Sequence, residues 1–232
     1  MGLSYHGGLV GALFGAVLYC RRKKLNTLEW MDMTAIAAPL GYTFGRIGNF
    51  LNQELYGRAT SMPWGMVFPT APSYSVDKPW VAGMVEELNL TVVNGMVNLP
   101  RHPSQLYEAF LEGILLWAIL WFFVRNRKTV KGFAVGLYVI GYGLARFIVE
   151  YFREPDSHLG FILTSNPEIL PGQNYVALLN ISMGQILSFL QILAGFALLL
   201  VFYLWSRRPP QQSMSKSAKP RLSRNQRKRL QS

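Results

Sequence analysis

Long apolar segments alternate with short polar segments along this chain of 232 residues. A membrane-spanning helix needs about 17–25 mainly apolar residues. Five segments approach or reach that length, at 7–20, 31–51, 104–124, 132–151 and 181–205. The first is the shortest, and the last has the clearest composition of a membrane span. The pattern therefore predicts an all-α, polytopic membrane protein with about five transmembrane helices.

Composition supports this interpretation. The chain is 50% hydrophobic and 15% charged, whereas a soluble domain carries about 25% charged residues. This balance excludes a disordered or fibrous chain. The single cysteine, Cys20, excludes a disulfide framework and a multi-cysteine metal site. Small residues at Gly41 and Gly45, and at Gly132 and Gly136, predict close packing of the second and fourth helices against neighbours.

The net charge of +11 is concentrated on one side of the predicted membrane. Basic clusters at 21–24 and 125–131 each follow an apolar segment, and residues 207–232 carry nine Lys and Arg and no acid. With these regions in the cytoplasm, seventeen basic residues lie inside and four outside. The positive-inside rule then places the amino terminus outside and the carboxyl terminus inside. The charge therefore orients the protein, and we expect no nucleic-acid partner.

The chain divides into two regions. Residues 1–206 form a predicted transmembrane domain, which includes an outer loop at 52–103. The Pro, Trp and Gly residues between 59 and 100 predict an irregular lid or head in that loop. Residues 207–232, rich in Ser, Gln and Pro, predict a disordered, basic cytoplasmic tail that contacts anionic lipid.

Ionisable side chains in apolar helices cost about 2.5–3.5 kcal/mol each on insertion scales, so they are functional candidates. The polar residues in or beside the predicted helices are Arg46, Asn49, Asn52, Glu54, Glu108, Glu112, Tyr142, Arg146, Glu150 and Arg153. The topology puts Arg46, Glu108 and Arg146 at matching depths, each about five residues, or ~7–8 Å, from the outer end of its helix. His6 and Gln185 lie at the same end. We therefore expect one polar layer near the outer leaflet.

Two roles fit these residues. Arginines beside Asn and Tyr suit an anionic headgroup, since a guanidinium binds phosphate through two parallel hydrogen bonds. The alternative is structural, with Glu108 or Glu112 pairing with Arg46, and Glu150 with Arg146. Ion pairs are a costly way to join helices that small residues can pack, so we favour anion binding for the arginines.

Five blocks in chain order carry a more specific pattern. They are LSYHGG at 3–8, RIGNFLNQELYGR at 46–58, RHPSQLYE at 101–108, GYG at 141–143 continuing through Arg146 to REPD at 153–156, and ISMGQ at 181–185. Together they resemble the bacterial phosphatidylglycerol–prolipoprotein diacylglyceryl transferase family, from Met1 to about Trp205. Members usually begin with about two further helices, so we expect either additional upstream sequence or a shortened member.

The resemblance implies a transferase of the bacterial cell (inner) membrane, with residues 1–206 as its catalytic domain. It would move the sn-1,2-diacylglyceryl group of phosphatidylglycerol to the lipobox cysteine thiol of prolipoproteins and release glycerol phosphate, the first step of lipoprotein maturation. The implied partners are phosphatidylglycerol, prolipoprotein signal peptides with a lipobox cysteine, and membrane lipids. Neither a cofactor nor a metal is implied.

The resemblance also implies roles for particular residues. The implied catalytic residues are His6, Arg46, Tyr142 and Arg146, with His6 as the base for the thiol. The implied phosphatidylglycerol-binding residues are Arg46, Asn49, Glu54, Gly57 and Arg146. The alternative function is a membrane protein that binds or transports anionic lipid through the same arginines. A membrane scaffold without activity is a third class, but it leaves the cost of the buried arginines unexplained.

Overall fold

The computed structural model describes residues 5–127, 129–154, 161–163 and 180–207, and within these ranges the chain is mainly helical. The helices are α1 (Tyr5–Lys23), α2 (Thr27–Leu51), α3 (Pro79–Leu88), α4 (Ser104–Val124), α5 (Phe133–Val149) and α6 (Met183–Ser206). The strands form two antiparallel pairs, β1 (Tyr74–Ser75) with β2 (Met96–Val97), and β3 (Phe161–Leu163) with β4 (Ile181–Ser182). The predicted helical class is confirmed. The predicted tail from 208 onward lies outside the described residues.

Each of the five predicted apolar segments forms a helix, but the helices differ in how well they suit a bilayer. In the described part of the chain, α4 and α6 are long and apolar enough to cross a membrane, and α5 is a shorter apolar helix. The last turn of α1 carries three basic residues, and α2 contains Asp32 and Arg46. Apolar side chains of α1 such as Phe14 are exposed, as expected for a surface that faces lipid.

Side-chain caps set two helix boundaries. Asn26 accepts hydrogen bonds from the backbone N–H groups of Leu28 (3.1 Å) and Glu29 (3.3 Å), so α2 begins at Thr27, earlier than the predicted start at 31. Ser182 and Gln185 form a reciprocal capping box at the start of α6. The ISMGQ block therefore begins this helix, and its glutamine is buried.

Glycines bring α5 and α6 together. A Cβ atom on Gly143 would lie 2.8 Å from Ile192 Cγ1, and one on Gly136 would meet Leu199. The close packing predicted at Gly136 is thus confirmed. The packing predicted at Gly41 and Gly45 is wrong within the described residues, because a Cβ at either position would have no atom within 4 Å.

Helix α4 departs from regular α-helical geometry. It passes through π-helical turns at Ala109–Leu115 and Ile119–Val124. The Thr43 hydroxyl of α2 lies 3.3 Å from the Ala109 carbonyl oxygen, and the missing side chain of Gly113 makes room for Thr43. Stretches of π-helix are rare and often occur at functional sites, and here the first one carries Glu112.

The loop predicted to be irregular, between α2 and α4, is an ordered head with a small core. Helix α3 and the β1–β2 pair enclose five buried residues, Ala59, Val81, Met84, Val97 and Leu99. Pro79 stands at the first turn of α3, where its missing N–H is not needed. The rest of the segment is irregular, as its Pro, Trp and Gly content predicts, and the helix and strand pair form where apolar residues pack.

Candidate active site

Three arginines from different parts of the chain meet at one buried carboxylate. Glu108 Oε2 lies 2.9 Å from Arg46 Nε, while its Oε1 lies 2.7 Å from Arg146 Nη1 and 2.6 Å from Arg153 Nη1. The Glu108 side chain is fully buried, whereas the three arginine side chains are 17–20% exposed. The predicted convergence of Arg46, Glu108 and Arg146 at one level of the bundle is therefore confirmed. The acid is therefore enclosed by the protein, while part of each arginine side chain stays accessible.

Glu150 supplies a second carboxylate to the same cluster. Its Oε2 lies 3.2 Å from Arg146 Nη2 and 3.7 Å from Arg153 Nε. The Ser182 hydroxyl donates to its Oε1 at 3.1 Å. Gly184 makes this approach possible, since a Cβ there would lie 2.9 Å from Glu150 Oε2. The glycine of the ISMGQ block thus leaves room for an acid of the site.

The ion pairs that the sequence offered as an alternative to anion binding are present in the structure. They involve the same arginines as the candidate anion site. Arg146 pairs with Glu150 as its spacing of four residues predicts, and Arg46 pairs with Glu108. Glu112 is more distant, with Oε1 3.9 Å from Arg146 Nη1. An arginine held by carboxylates can still offer its remaining N–H groups, because each guanidinium carries five donors.

Asn49 links Glu54 to Arg46. In the amide orientation that satisfies both polar atoms, its nitrogen donates to Glu54 Oε1 (3.1 Å) and to the Gly45 carbonyl (3.3 Å), and its oxygen accepts from Arg46 Nη1 (3.3 Å). Glu54 is exposed beyond the end of α2. Arg46, Asn49 and Glu54 of the block at 46–58 are therefore joined by hydrogen bonds through the Asn49 amide.

Gly57 is buried where three backbone segments meet. Its N–H donates to the His102 carbonyl at 2.9 Å, and the N–H of Arg58 donates to the Phe152 carbonyl at 3.0 Å. A Cβ on Gly57 would lie 2.9 Å from both Cβ and the carbonyl oxygen of His102. A larger residue than glycine would therefore clash with the neighbouring backbone at this position.

Arg101 joins the head to the chain that follows α5. It is fully buried and donates to Glu154 Oε2 at 2.7 Å and to the Tyr74 hydroxyl at 3.0 Å. Its guanidinium also lies over the ring of Tyr56, 4.8 Å from the centroid. Burial raises the pKa of Tyr74, and the carboxylate of Glu154 contributes to the shift, while Arg101 opposes it. Glu154 follows Arg153 directly, so this cluster fixes the backbone that carries an arginine of the site.

Sequence reasoning missed several of these contacts. Arg101 and Glu154 lie inside quoted blocks, and their opposite charges were the available signal for the pair. Arg58 ends the block at 46–58 and counts among the outer charges, but the sequence assigns it no contact; in the structure it is buried and donates through Nε to the Arg153 carbonyl. Burial lowers the pKa of Arg58, although Glu150 and Glu154 oppose the shift. Tyr42, which contacts Arg46, was not singled out at all.

Of two further predicted site residues, the structure describes the side chain of Tyr142 but not that of His6. Tyr142 belongs to the site region, where its ring meets that of Tyr42 edge to face at 5.6 Å between centroids. His6 belongs to the first turn of α1, but its side chain lies outside the described residues. Among the residues that are described, no three His, Cys, Asp or Glu side chains group as a metal site requires.

The fold and this site together define a helical membrane protein with an arginine–glutamate network. A model of the family described as prolipoprotein diacylglyceryl transferase matches residues 1–201. Relatives named phosphatidylglycerol–prolipoprotein diacylglyceryl transferase include those of Treponema pallidum, 52% identical over 84% of this chain and 59% of the relative, and Chlorobaculum tepidum, 43% identical over 89% of this chain and 56% of the relative. The chain belongs to the prolipoprotein diacylglyceryl transferase family. It spans less than two thirds of the length of these relatives.

Proposed function

We propose that this chain carries the catalytic centre of a transferase that moves the diacylglyceryl group of phosphatidylglycerol to the lipobox cysteine of prolipoproteins. One observation carries the proposal. Three arginines surround a fully buried glutamate, and each leaves part of its side chain exposed on the same cluster. This arrangement gives a positive edge for the phosphate diester of an anionic lipid. The names of the relatives supply the substrates.

In this proposal, Arg46 and Arg146 bind the phosphate of phosphatidylglycerol. Glu108 holds both guanidinium groups in place before the lipid arrives, so little reorganisation accompanies the reaction. Asn49 and Glu54, which belong to the same sequence block as Arg46, orient this arginine. Tyr142 lines the same region. Gly57 acts indirectly, because its close packing holds the head against the segment that carries Arg153.

The reaction exchanges one bond for another at a glyceryl carbon. The cysteine sulfur of the prolipoprotein attacks the diacylglyceryl carbon that bears the phosphate ester, a C–S bond forms, and the C–O bond breaks. Glycerol phosphate leaves with the electron pair, and Arg46 and Arg146 stabilise its developing charge. The thiol proton must be removed, since a free cysteine has a pKa near 8.5. We assign that step to His6.

We further propose that the five long helices cross the bacterial inner membrane, with the amino terminus outside and the carboxyl terminus inside. The head at 52–103 then lies in the periplasm as a lid beside the lipid site, and residues 207–232 form a basic cytoplasmic tail. The contact of Asp32 with the start of α5 supports this arrangement, since it joins the helix ends opposite the arginine cluster. Basic residues of α1 lie at that opposite end as well.

The test is a transfer assay with the complete reading frame that contains this chain, purified and mixed with phosphatidylglycerol and a lipobox peptide. We expect the peptide mass to increase by one diacylglyceryl group at the cysteine and glycerol phosphate to appear in equal amount. A peptide with serine in place of the cysteine is the control and should stay unmodified. Binding of the lipid without any mass increase would reject the transferase and favour the lipid-binding alternative.

A further inference from the structure

A tyrosine outside the quoted blocks lies directly beneath an arginine of the site. The guanidinium carbon of Arg46 is 4.7 Å from the centroid of the Tyr42 ring. The two residues are four positions apart in α2, so they project from the same face of the helix. The ring face is electronegative and attracts the guanidinium without accepting its hydrogen bonds in the ordinary way. It can therefore restrain Arg46 in addition to the hydrogen bonds that the arginine donates to its other partners.

The Tyr42 ring is itself fixed from two sides. Its hydroxyl donates to Glu112 Oε2 at 2.5 Å, and the Glu112 side chain is fully buried. The Tyr142 ring packs against Tyr42 edge to face. The π-helical stretch of α4 carries Glu112, so the irregular turns of that helix contribute the partner that fixes the tyrosine.

Carboxylates and the ring hold Arg46 in different ways. Glu108 contacts its Nε at 2.9 Å and uses a donor that a phosphate could otherwise take. Tyr42 contacts the guanidinium through its ring, and its side chain also forms a hydrogen bond with Arg46. A bidentate contact with phosphate depends on the orientation of the guanidinium plane, which the ring contact controls.

We propose that Tyr42 is a positioning residue for Arg46, and that Glu112 fixes Tyr42 in that role. The inference rests on the proposed function, because it assumes that Arg46 binds the phosphate of the lipid. Tyr42 does not touch the reacting atoms. It acts by presenting the N–H edge of Arg46 toward the lipid.

The experiment compares Tyr42→Phe and Tyr42→Leu in the transfer assay with the complete reading frame. Tyr42→Leu removes the ring, and we expect kcat/KM to fall about tenfold, which equals about 1.4 kcal/mol. Tyr42→Phe keeps the ring but removes the hydroxyl that donates to Glu112, so we expect a smaller loss of about threefold. The matched control is Tyr203→Leu. The Tyr203 ring centroid also lies 4.7 Å from a guanidinium carbon, that of Arg207, but this pair is at the carboxyl-terminal end of α6, away from the arginine cluster. That variant should keep wild-type activity.

A second measurement separates positioning from general helix packing. Binding of a fluorescent phosphatidylglycerol in detergent micelles is measured for Tyr42→Leu in the wild-type, Arg46→Gln and Arg153→Gln backgrounds. We expect the affinity to fall about tenfold in the wild-type and Arg153→Gln backgrounds and to stay unchanged in Arg46→Gln. Equal losses in all three backgrounds would mean that Tyr42 only packs the helices, and the inference would be wrong.

The two proposals fail in different ways. A wild-type protein without transfer activity contradicts the proposed function, whereas the lipid-binding comparison still tests Tyr42. An active wild-type protein whose Tyr42→Leu variant is equally active contradicts the role of Tyr42 alone. Melting temperatures of all variants show whether each is folded. If Tyr42→Leu does not fold, Tyr42→Phe carries the test, and unchanged activity in that variant would contradict the role of Glu112.

Discussion

Arg46 and Arg146 show that one side chain can be both an ion-pair partner and a candidate ligand-binding group. Each contacts the fully buried Glu108, yet 17% and 20% of their side chains stay exposed. The sequence alone presented the two roles as alternatives. In the structure, the same carboxylates pair with the arginines and leave part of each arginine side chain exposed, so the two roles coexist.

The first prediction concerns these arginines. Arg46→Ala and Arg146→Ala should each lower transferase activity at least about 100-fold, the loss typical of removing one group that stabilises transition-state charge. Membrane insertion should persist. Arg125→Ala is the control, because Arg125 lies over Trp121 at the far end of α4. Near-wild-type turnover in either site variant would contradict the phosphate role.

The second prediction concerns pH. Burial, with a smaller effect of Arg58, lowers the pKa of His102 below its ordinary 6.5. The unfolded chain therefore takes up a proton that the folded protein resists, and stability should decrease as pH falls below about 6.5. The melting temperature should decline between pH 7.5 and 5.5, and His102→Gln should flatten that decline. An identical slope in the variant would exclude His102 as its source.

At the scale of elements, the helices are held in register by a few polar contacts at their ends. Asp32 of α2 accepts hydrogen bonds from the N–H groups of Gly132 (2.7 Å) and Val135 (3.0 Å), and so caps α5 from another helix. Gly132 adopts a left-handed conformation there, with φ at 90°, which favours glycine. This cap fixes the start of the helix that carries Tyr142 and Arg146.

The third prediction tests that cap. Asp32→Ala leaves two N–H groups without their partner and removes a negative charge from the start of α5, so stability should fall by about 1–3 kcal/mol. The control is Glu29→Gln, which breaks a pair with Lys131 in which both side chains are more than half exposed, and such pairs contribute at most about 1 kcal/mol. Unfolding in detergent measures both variants. Equal small losses would show that the cap is not needed.

At the scale of the whole molecule, the site forms where three distant parts of the chain meet. Glu108 lies 38 positions from Arg146 and 45 from Arg153. The head closes over this end through the backbone contacts of Gly57 and Arg58 and through Arg101 with Glu154. The candidate site and the head therefore depend on each other for their geometry.

The fourth prediction concerns orientation in the membrane. In a Cys20→Ala background, Thr91→Cys in the head should react with a membrane-impermeant maleimide added outside spheroplasts, and Arg127→Cys should react only after lysis. Both positions are exposed in the structure, so burial does not explain a difference. The reverse pattern of labelling would overturn the proposed amino-terminus-out topology.

The helices, the polar residues within them and the family could all be predicted from the sequence alone. Apolar runs and basic clusters are local properties, so α4, α5 and α6 could be located without a structure to within a few residues. The blocks around Arg46 and Arg146 likewise identified the site arginines, because an arginine in an apolar helix stands out in composition alone.

The pairing of side chains across the site, in contrast, depends on how the helices pack. A local pattern cannot predict that Glu108 pairs with three arginines or that Arg101 pairs with Glu154, because these residues lie far apart in the chain. The contact of Tyr42 with Arg46 is local, but spacing alone does not identify it. Even the Tyr42 contact needs Glu112, 70 positions away, to fix the ring. The open faces of Gly41 and Gly45 make the same point, since spacing identifies a surface for close packing but not the helix that would fill it.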